Sequence, residues 1–271
     1  MNTSSKLALG VALLLLATSS FAQSENTDDA DSLKMAALEA LIAAPAERAL
    51  PIVDKVLAGN HSIELKERAL FILSQMETPD SQSRLLAFAN DAEGELQTEA
   101  IRMIGIGGDK EAIASLGDIY RGGNRDVRQA VLEAYLIADD ADSVFEIAAN
   151  SQDEEEFSDA VEMLGAMGAH AQLRELRGRA GLSESLIEAL AISGDPESID
   201  ELVGIYNNAE TEEIRQSALE GLMISGRDKD VLELYRNATD SKEKRQLLEY
   251  LVMMDSDEVW DLIDNALEGS Q

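Results

Sequence analysis

The feature that most constrains this chain is an internal repeat. From residue 33 onward, a small or apolar residue followed by an aliphatic one recurs, with another apolar residue one helical turn later. Successive copies are separated by 26 to 32 residues. Self-similarity at such a period is the sequence signature of architectures built from stacked units, so the chain is predicted to be a solenoid. The copies begin at Ala37, Ala69, Ala100, Ala130, Ala160, Leu186, Ala218 and Leu247.

Each repeat is predicted to contain two helices. In the second copy, Leu65, Ala69 and Leu73 follow helical spacing. A glycine or an oxygen-bearing side chain then ends one helix and caps the next, as at Gly108-Asp109. One helix pair cannot bury its own apolar stripe, whereas stacked pairs share a continuous core. We therefore expect an all-α solenoid of about eight helix pairs, a right-handed α-α superhelix, forming one domain over residues 33–271.

Two irregularities interrupt the repeat. Pro51 falls inside the second helix of the first repeat, where it is predicted to kink or restart that helix because it removes a backbone donor. The 26-residue interval between Ala160 and Leu186 indicates that one repeat is shorter than the others.

The first 32 residues precede the repeats. Residues 1–22 carry Lys6, an apolar run from residue 7 to residue 17, and small residues ending at Ala22, which is the pattern of a secretory signal peptide cut after Ala22. The apolar run is well short of the roughly 20 residues that a membrane span needs. Residues 23–32 are polar and acidic and are expected to be a flexible leader. The product is predicted to be periplasmic or secreted, with no integral membrane span after cleavage.

Charge and cysteine content exclude several functions. The formal net charge is −31, so nucleic acid is not an expected partner, because a polyanion requires a basic surface. The sequence contains no cysteine, which removes disulfides, thiolate zinc sites and cysteine nucleophiles.

The repeat resembles a known family. Leu202 to Tyr206 forms an Leu-x-x-Ile-Tyr segment, which is followed by the aliphatic-basic pair Ile214-Arg215, the step Ala218-Leu219 and a turn at Gly226. This order is similar to that of bacterial HEAT-like repeats, the type also found in phycobilisome lyase relatives. The resemblance implies an α-solenoid whose inner, second helices present an extended surface to proteins.

A tyrosine followed by a polar residue recurs near the end of the second helix in three repeats. Tyrosine and arginine are among the side chains that most often contribute large binding free energies at protein interfaces, so these positions are candidates for partner binding. The alternative is that each ring seals the seam between neighbouring repeats. The candidate residues are Tyr120, Arg121, Tyr206, Asn207, Tyr235 and Arg236.

No set of residues indicates catalysis. His61 is predicted in a link between helices and His170 at a helix start, and neither has a second histidine at helical zinc spacing. Ser241 to Lys244 fits the short S-x-x-K pattern of some acyl enzymes, but the companion motifs are missing and a helix-capping serine explains it better. We expect no catalytic residues, no cofactor and no resident metal.

Acidic clusters leave a second hypothesis open. Asp139 to Asp142 and Asp153 to Glu156 concentrate carboxylates at turns, where calcium could bind, although such side chains also favour helix starts. The sequence therefore predicts an exported, non-enzymatic HEAT-repeat scaffold or adaptor that binds a protein partner, one with a basic surface, on its concave face. The alternatives are an acidic divalent-cation (Ca²⁺) binding protein and an accessory to an envelope enzyme or chromophore protein.

Overall fold

The computed structural model describes the backbone of residues 32–76, 78–255 and 257–268, and the side chains of these residues except 179, 180, 257 and 265–268. The predicted signal peptide, residues 1–22, and the leader up to residue 31 lie outside the described residues.

Sixteen α-helices occupy the described residues, and no strand is found among them. The odd-numbered helices are the first helices of the predicted pairs and the even-numbered ones the second, so the all-α fold class of about eight helix pairs is confirmed. The helices are α1 (32–39, continued by a 3-10 turn at Ala40–Ala43), α2 (Ala46–Ala58), α3 (Ile63–Gln75), α4 (Pro79–Asp91), α5 (Glu95–Gly107), α6 (Lys110–Gly122), α7 (Arg125–Ile137), α8 (Ala141–Asn150), α9 (Glu154–Ala166), α10 (His170–Ala180), α11 (Glu184–Ile192), α12 (Pro196–Asn208), α13 (Glu212–Ile224), α14 (Asp228–Asn237), α15 (Ser241–Met253) and α16 (Asp257–Glu268).

The recurring residue pair of the repeat forms the core. From the second copy to the seventh, both of its residues are fully buried on a first helix, from Ala69 and Leu70 to Ala218 and Leu219. Leu38 of the first copy is 3% exposed. The predicted register is therefore the register in which the helices pack.

The chain divides into two compact units, with the boundary between Ala134 and Tyr135 inside α7. In the first unit, α5 packs on both α3 and α4, and in the second, α11 packs on both α9 and α13. Within each unit, these consecutive first helices thus contact one another, as stacked repeats require. A single domain over residues 33–271 stays a prediction.

Small residues bring consecutive first helices close together. A Cβ atom added to Gly105 of α5 would lie 2.7 Å from the carbonyl oxygen of Ala134 in α7. In the second unit, a Cβ on Gly165 of α9 would lie 2.9 Å from the Cα of Ala189 in α11. Real Cβ atoms do not approach backbone so closely, so these glycines permit the spacing of the stack.

The predicted capping residues begin the second helices. Thr78 and Asp195 are the N-cap residues of α4 and α12, and each is followed by proline at the first helical position. Asp109 caps α6, directly after Gly108, which ends α5 in the left-handed conformation with φ 67°. Local sequence thus fixes where one helix of a pair stops and the next starts.

The two irregularities had different outcomes. Pro51 does not restart its helix, because α2 continues from Ala46 to Ala58, and the kink stays a prediction. Proline removes only the hydrogen bond to the carbonyl of Glu47, and both residues are on the exposed side of the helix, where water can replace that bond. The shortened repeat is present, since α10 and α11 contain 11 and 9 residues.

Candidate binding surface on the second helices

The three predicted tyrosines lie near the C-terminal ends of second helices, and two of them are buried. Tyr120 of α6 is 4% exposed and Tyr206 of α12 is 2% exposed, while Tyr235 of α14 is half-buried. Their rings therefore pack against neighbouring helices, which is the seam-sealing arrangement. The polar residue that follows each tyrosine is exposed in all three places: Arg121, Asn207 and Arg236.

A basic side chain lies over the ring of each of these tyrosines. Arg215 lies 6.0 Å from the centroid of the Tyr206 ring, and Lys244 lies 5.5 Å from that of Tyr235. In the first unit, Arg128 lies 5.7 Å from the centroid of the Tyr120 ring. Such distances allow cation-π attraction.

These basic partners were not predicted from the sequence, although a signal for them exists. Each lies 8 or 9 residues after its tyrosine, on the first helix of the next repeat. Two of them, Arg128 and Arg215, belong to the aliphatic-basic pair that marks the repeat. The recurring tyrosine and the basic residue that follows it 8 or 9 positions later therefore form a contact between one repeat and the next.

Tyr206 also holds a carboxylate in place. Its hydroxyl donates a hydrogen bond to Oε1 of Glu243 at 3.1 Å, which links α12 to α15. Burial, and then the charge of Glu243, raise the pKa of Tyr206 well above its usual range, so the phenol keeps its proton. Tyr250 of α15 donates in the same way to Oε1 of Glu220 in α13, at 3.2 Å. The second unit thus orients surface carboxylates with buried or half-buried phenols.

A groove lies between α10 and α12, at the C-terminal ends of these two second helices. Its volume is 830 Å³. Gly204 lines it, and nothing lies within 4 Å of the position that a Cβ on this glycine would occupy. Leu182, which follows α10, is 40% exposed beside it. Other lining residues are Arg177, Glu201, Ile205, Asn208 and Ile214. This α10–α12 groove is open and partly apolar.

A second groove lies on the other side of α12, between α12 and α14. It has a volume of 210 Å³ and a more polar lining. Val203 and Leu234 contribute apolar surface, whereas Asn207, Asp230, Glu233, Asn237 and Glu243 contribute polar groups. This α12–α14 groove contains the predicted residue Asn207 and the carboxylate that Tyr206 orients.

The two grooves carry uncompensated negative charge. Glu201 is paired with Arg177, and Asp230 with Arg227. Glu210, in the α10–α12 groove, and Glu233 are exposed and form no ion pair with the described residues. At neutral pH this surface therefore attracts cationic groups.

One residue of each acidic cluster that suggested calcium is a helix cap, Asp140 for α8 and Asp153 for α9. Asp140 accepts hydrogen bonds from the backbone N–H and the hydroxyl of Ser143, at 3.2 and 2.7 Å. Asp153 accepts from the backbone N–H of Glu156 at 2.9 Å. In the part of the chain that the structure describes, no three His, Asp or Glu side chains are grouped so that they could hold a metal ion.

The other sequence candidates lie apart from the grooves. His61 is exposed in the link between α2 and α3, and His170 is the first residue of α10, as predicted. Ser241 was expected to cap its helix, but the N-cap of α15 is Asp240, and Ser241 is the first helical residue. The carboxylate of Asp240 accepts the N–H groups of Lys242 and Glu243, which lowers its pKa.

Helix pairs packed in register, with buried repeat residues and open second-helix grooves, define a helical-repeat protein of the α-solenoid class. A family profile of HEAT repeats matches residues 55–136. Residues 55–136 thus match HEAT repeats, in agreement with the resemblance of the repeat motif. No curated protein matches the sequence. Among the described residues, no helix is both long and apolar enough to cross a bilayer.

Two solved structures of other proteins match this chain at low identity. The complex of CpcE and CpcF of phycocyanin lyase from Nostoc sp. matches with 18% identity and a TM-score of 0.38, covering 79% of this chain and 92% of the other. Human deoxyhypusine hydroxylase, solved in complex with glycerol, matches with 15% identity and a TM-score of 0.34, covering 83% of this chain and 98% of the other.

Proposed function

We propose that this protein is an exported, non-enzymatic HEAT-repeat scaffold that binds a protein partner with a basic surface through its second helices. The observation that carries the proposal is the pair of open grooves flanking α12, whose exposed carboxylates Glu210 and Glu233 form no ion pair with the described residues. Stacked repeats commonly provide extended surfaces of this kind.

The charge of the whole chain supports the same kind of partner. With a net charge of −31, the protein attracts cationic surfaces at long range and repels acidic ones. Exposed side chains on the second helices then provide short-range contacts, and Asn207 and Arg236 lie at the relevant helix ends. The predicted secretory signal supports a periplasmic or secreted location for this interaction.

The test is quantitative capture of proteins from the envelope fraction of the source organism. The full chain, without its predicted signal, is immobilised and bound proteins are identified by mass spectrometry. We expect enrichment of a protein with a basic surface, and loss of most of it between 50 and 500 mM salt, because screening weakens charge attraction. The absence of any protein enriched over a blank matrix contradicts the proposal.

The matched variant should avoid the tyrosines, because substituting buried Tyr120 or Tyr206 would also disturb packing. Replacing the exposed groove residues Asn207, Glu210 and Glu233 with alanine leaves the core intact. We expect the triple variant to melt like the wild type and to capture the partner at least tenfold less well. Undiminished capture by a folded triple variant contradicts binding through the second helices.

Export has its own measurement. The mature protein isolated from the source organism should begin at Gln23, which intact mass determines to the residue. Recovery of the full chain from the cytoplasmic fraction contradicts this part of the proposal.

A further inference from the structure

The two grooves lie on adjacent faces of the same helix. Gly204 and Asn208, one helical turn apart, line the α10–α12 groove, and Val203 and Asn207, also one turn apart, line the α12–α14 groove. Neighbouring positions on a helix point about 100° apart, so α12 separates the grooves as a ridge. An α-helix with its side chains is roughly 10 Å across, which sets the distance between the grooves.

The α10–α12 groove suits an aliphatic side chain. Leu182, Ile205 and Ile214 supply apolar surface, and Gly204 leaves space that any side chain would have filled. Among the described side chains that line it, Arg177 is the one basic residue, and it is already paired with Glu201. Its 830 Å³ exceed what one leucine or isoleucine needs, so the groove also accommodates the backbone on either side of such a residue.

The α12–α14 groove suits a cation. Glu233 and Glu243 both line it, and Tyr206 fixes the position of the second carboxylate through its hydroxyl. The amide side chains of Asn207 and Asn237 stand beside them. At 210 Å³, this groove admits the end of one long side chain rather than a folded element.

We propose that the ridge of α12 is crossed by an extended peptide segment of the partner, which places an aliphatic side chain in the α10–α12 groove and a lysine or arginine in the α12–α14 groove. An extended segment in the polyproline II conformation advances about 3.1 Å per residue with three residues per turn, so side chains three residues apart lie on one face of the segment and about 9 Å apart, close to the distance between the grooves. This inference rests on the proposed function and names the segment that the scaffold recognises.

The experiment uses a random 12-residue peptide library displayed on phage and selected on the full chain. We expect the enriched peptides to share an aliphatic residue and a lysine or arginine about three positions away. Gly204→Leu places a side chain in the first groove, and Glu233→Lys reverses the charge of a lining residue of the second. Nothing lies within 4 Å of a Cβ added at Gly204, and Glu233 is exposed. Each variant should lower the affinity of a synthetic selected peptide at least tenfold.

Two control variants match these changes elsewhere. Gly122→Leu adds the same side chain to the end of α6, again with nothing within 4 Å of the new Cβ, and Glu162→Lys makes the same charge reversal on exposed α9 surface. Both should change peptide affinity less than twofold. The inference is overturned by a selection that enriches nothing, by enriched peptides without the basic residue, or by affinities that Gly204→Leu and Glu233→Lys leave unchanged.

This outcome is separable from that of the scaffold proposal. If envelope protein is still captured while peptide selection fails, the scaffold stands and the segment is wrong. If peptides bind as expected but no envelope protein is captured, the two grooves bind such segments and the scaffold proposal fails.

Discussion

Replacing glycine with alanine should have opposite effects at two helical positions of the second unit. Gly165 of α9 faces α11, and an added Cβ would lie 2.9 Å from the Cα of Ala189 and 3.0 Å from its carbonyl oxygen. Gly204 of α12 faces an open groove, with nothing within 4 Å. Both glycines are inside helices, so the intrinsic preference of the helix for alanine is similar at the two sites.

The magnitudes follow from those contacts. Alanine stabilises a helix interior by about 0.5 to 1 kcal/mol relative to glycine, and Gly204→Ala should gain this in full. Forcing an extra methyl into a packed core costs about 1 to 3 kcal/mol. At Gly165 the clashing atoms are backbone, which cannot rotate away, so Gly165→Ala should lose about 1 kcal/mol or more overall.

The assay is thermal and urea unfolding followed by circular dichroism at 222 nm. For a protein of this size, 1 kcal/mol corresponds to a shift in Tm of about 2 to 4 °C. We expect Gly204→Ala to melt above the wild type and Gly165→Ala below it. An equal rise in Tm for both variants would refute the close contact of α9 with α11, and with it the packing register.

Three further predictions test other parts of the structure. Asp153→Ala should lower the free energy of unfolding by about 1 kcal/mol through loss of a helix cap, equally with and without millimolar Ca²⁺; a loss seen only with Ca²⁺ contradicts the capping role. Tyr206→Phe should cost about 1 kcal/mol near pH 8, because the hydrogen bond to Glu243 is lost. Because folding raises the pKa of Tyr206, the phenol stabilises the folded state fully below the ordinary tyrosine pKa, and this contribution falls as pH rises above about 10. The wild type should therefore lose free energy of unfolding faster than Tyr206→Phe above that pH. Equal losses for the two proteins in urea titrations contradict this. Replacing Ile192 and Ile224, which are 42% and 50% exposed, with serine should change stability by about 0.5 kcal/mol or less per site, and a larger drop in Tm contradicts their exposure.

The helices and the buried register could be predicted because their signals are local. Ala69-Leu70 and its later equivalents recur with helical spacing around them, and residues such as Thr78 and Asp109 mark the helix starts. Stacked repeats make most of their contacts with near neighbours in sequence, so the local pattern already contains the packing.

The state of individual side chains could not be predicted, because it depends on the neighbouring repeat. Tyr206 has the same local sequence signal whether its ring seals a seam or faces solvent, and α13 and α15 decide this by supplying Arg215 and Glu243. Likewise, Gly165 lies against the backbone of α11, whereas Gly204 faces an open groove. The residues next to these glycines in the sequence do not indicate this difference.

The grooves were also beyond sequence reasoning. The α10–α12 groove depends on the end of α10, the following Leu182 and the end of α12, which are brought together by a shortened repeat. The 26-residue interval could be read from the sequence. The volume of the groove could not, because it depends on how the ends of two helices and the residue after α10 are placed relative to one another.

Site-specific photo-crosslinking in the source organism tests the central claim most directly. A photoreactive phenylalanine analogue is placed at Asn207, in the α12–α14 groove, and at Glu162 on the exposed face of α9, a first helix. The account predicts a protein adduct at position 207, mapped to a segment with a basic side chain, and none at position 162. Adducts only at position 162, or at neither position in a cell that produces the protein, would contradict it.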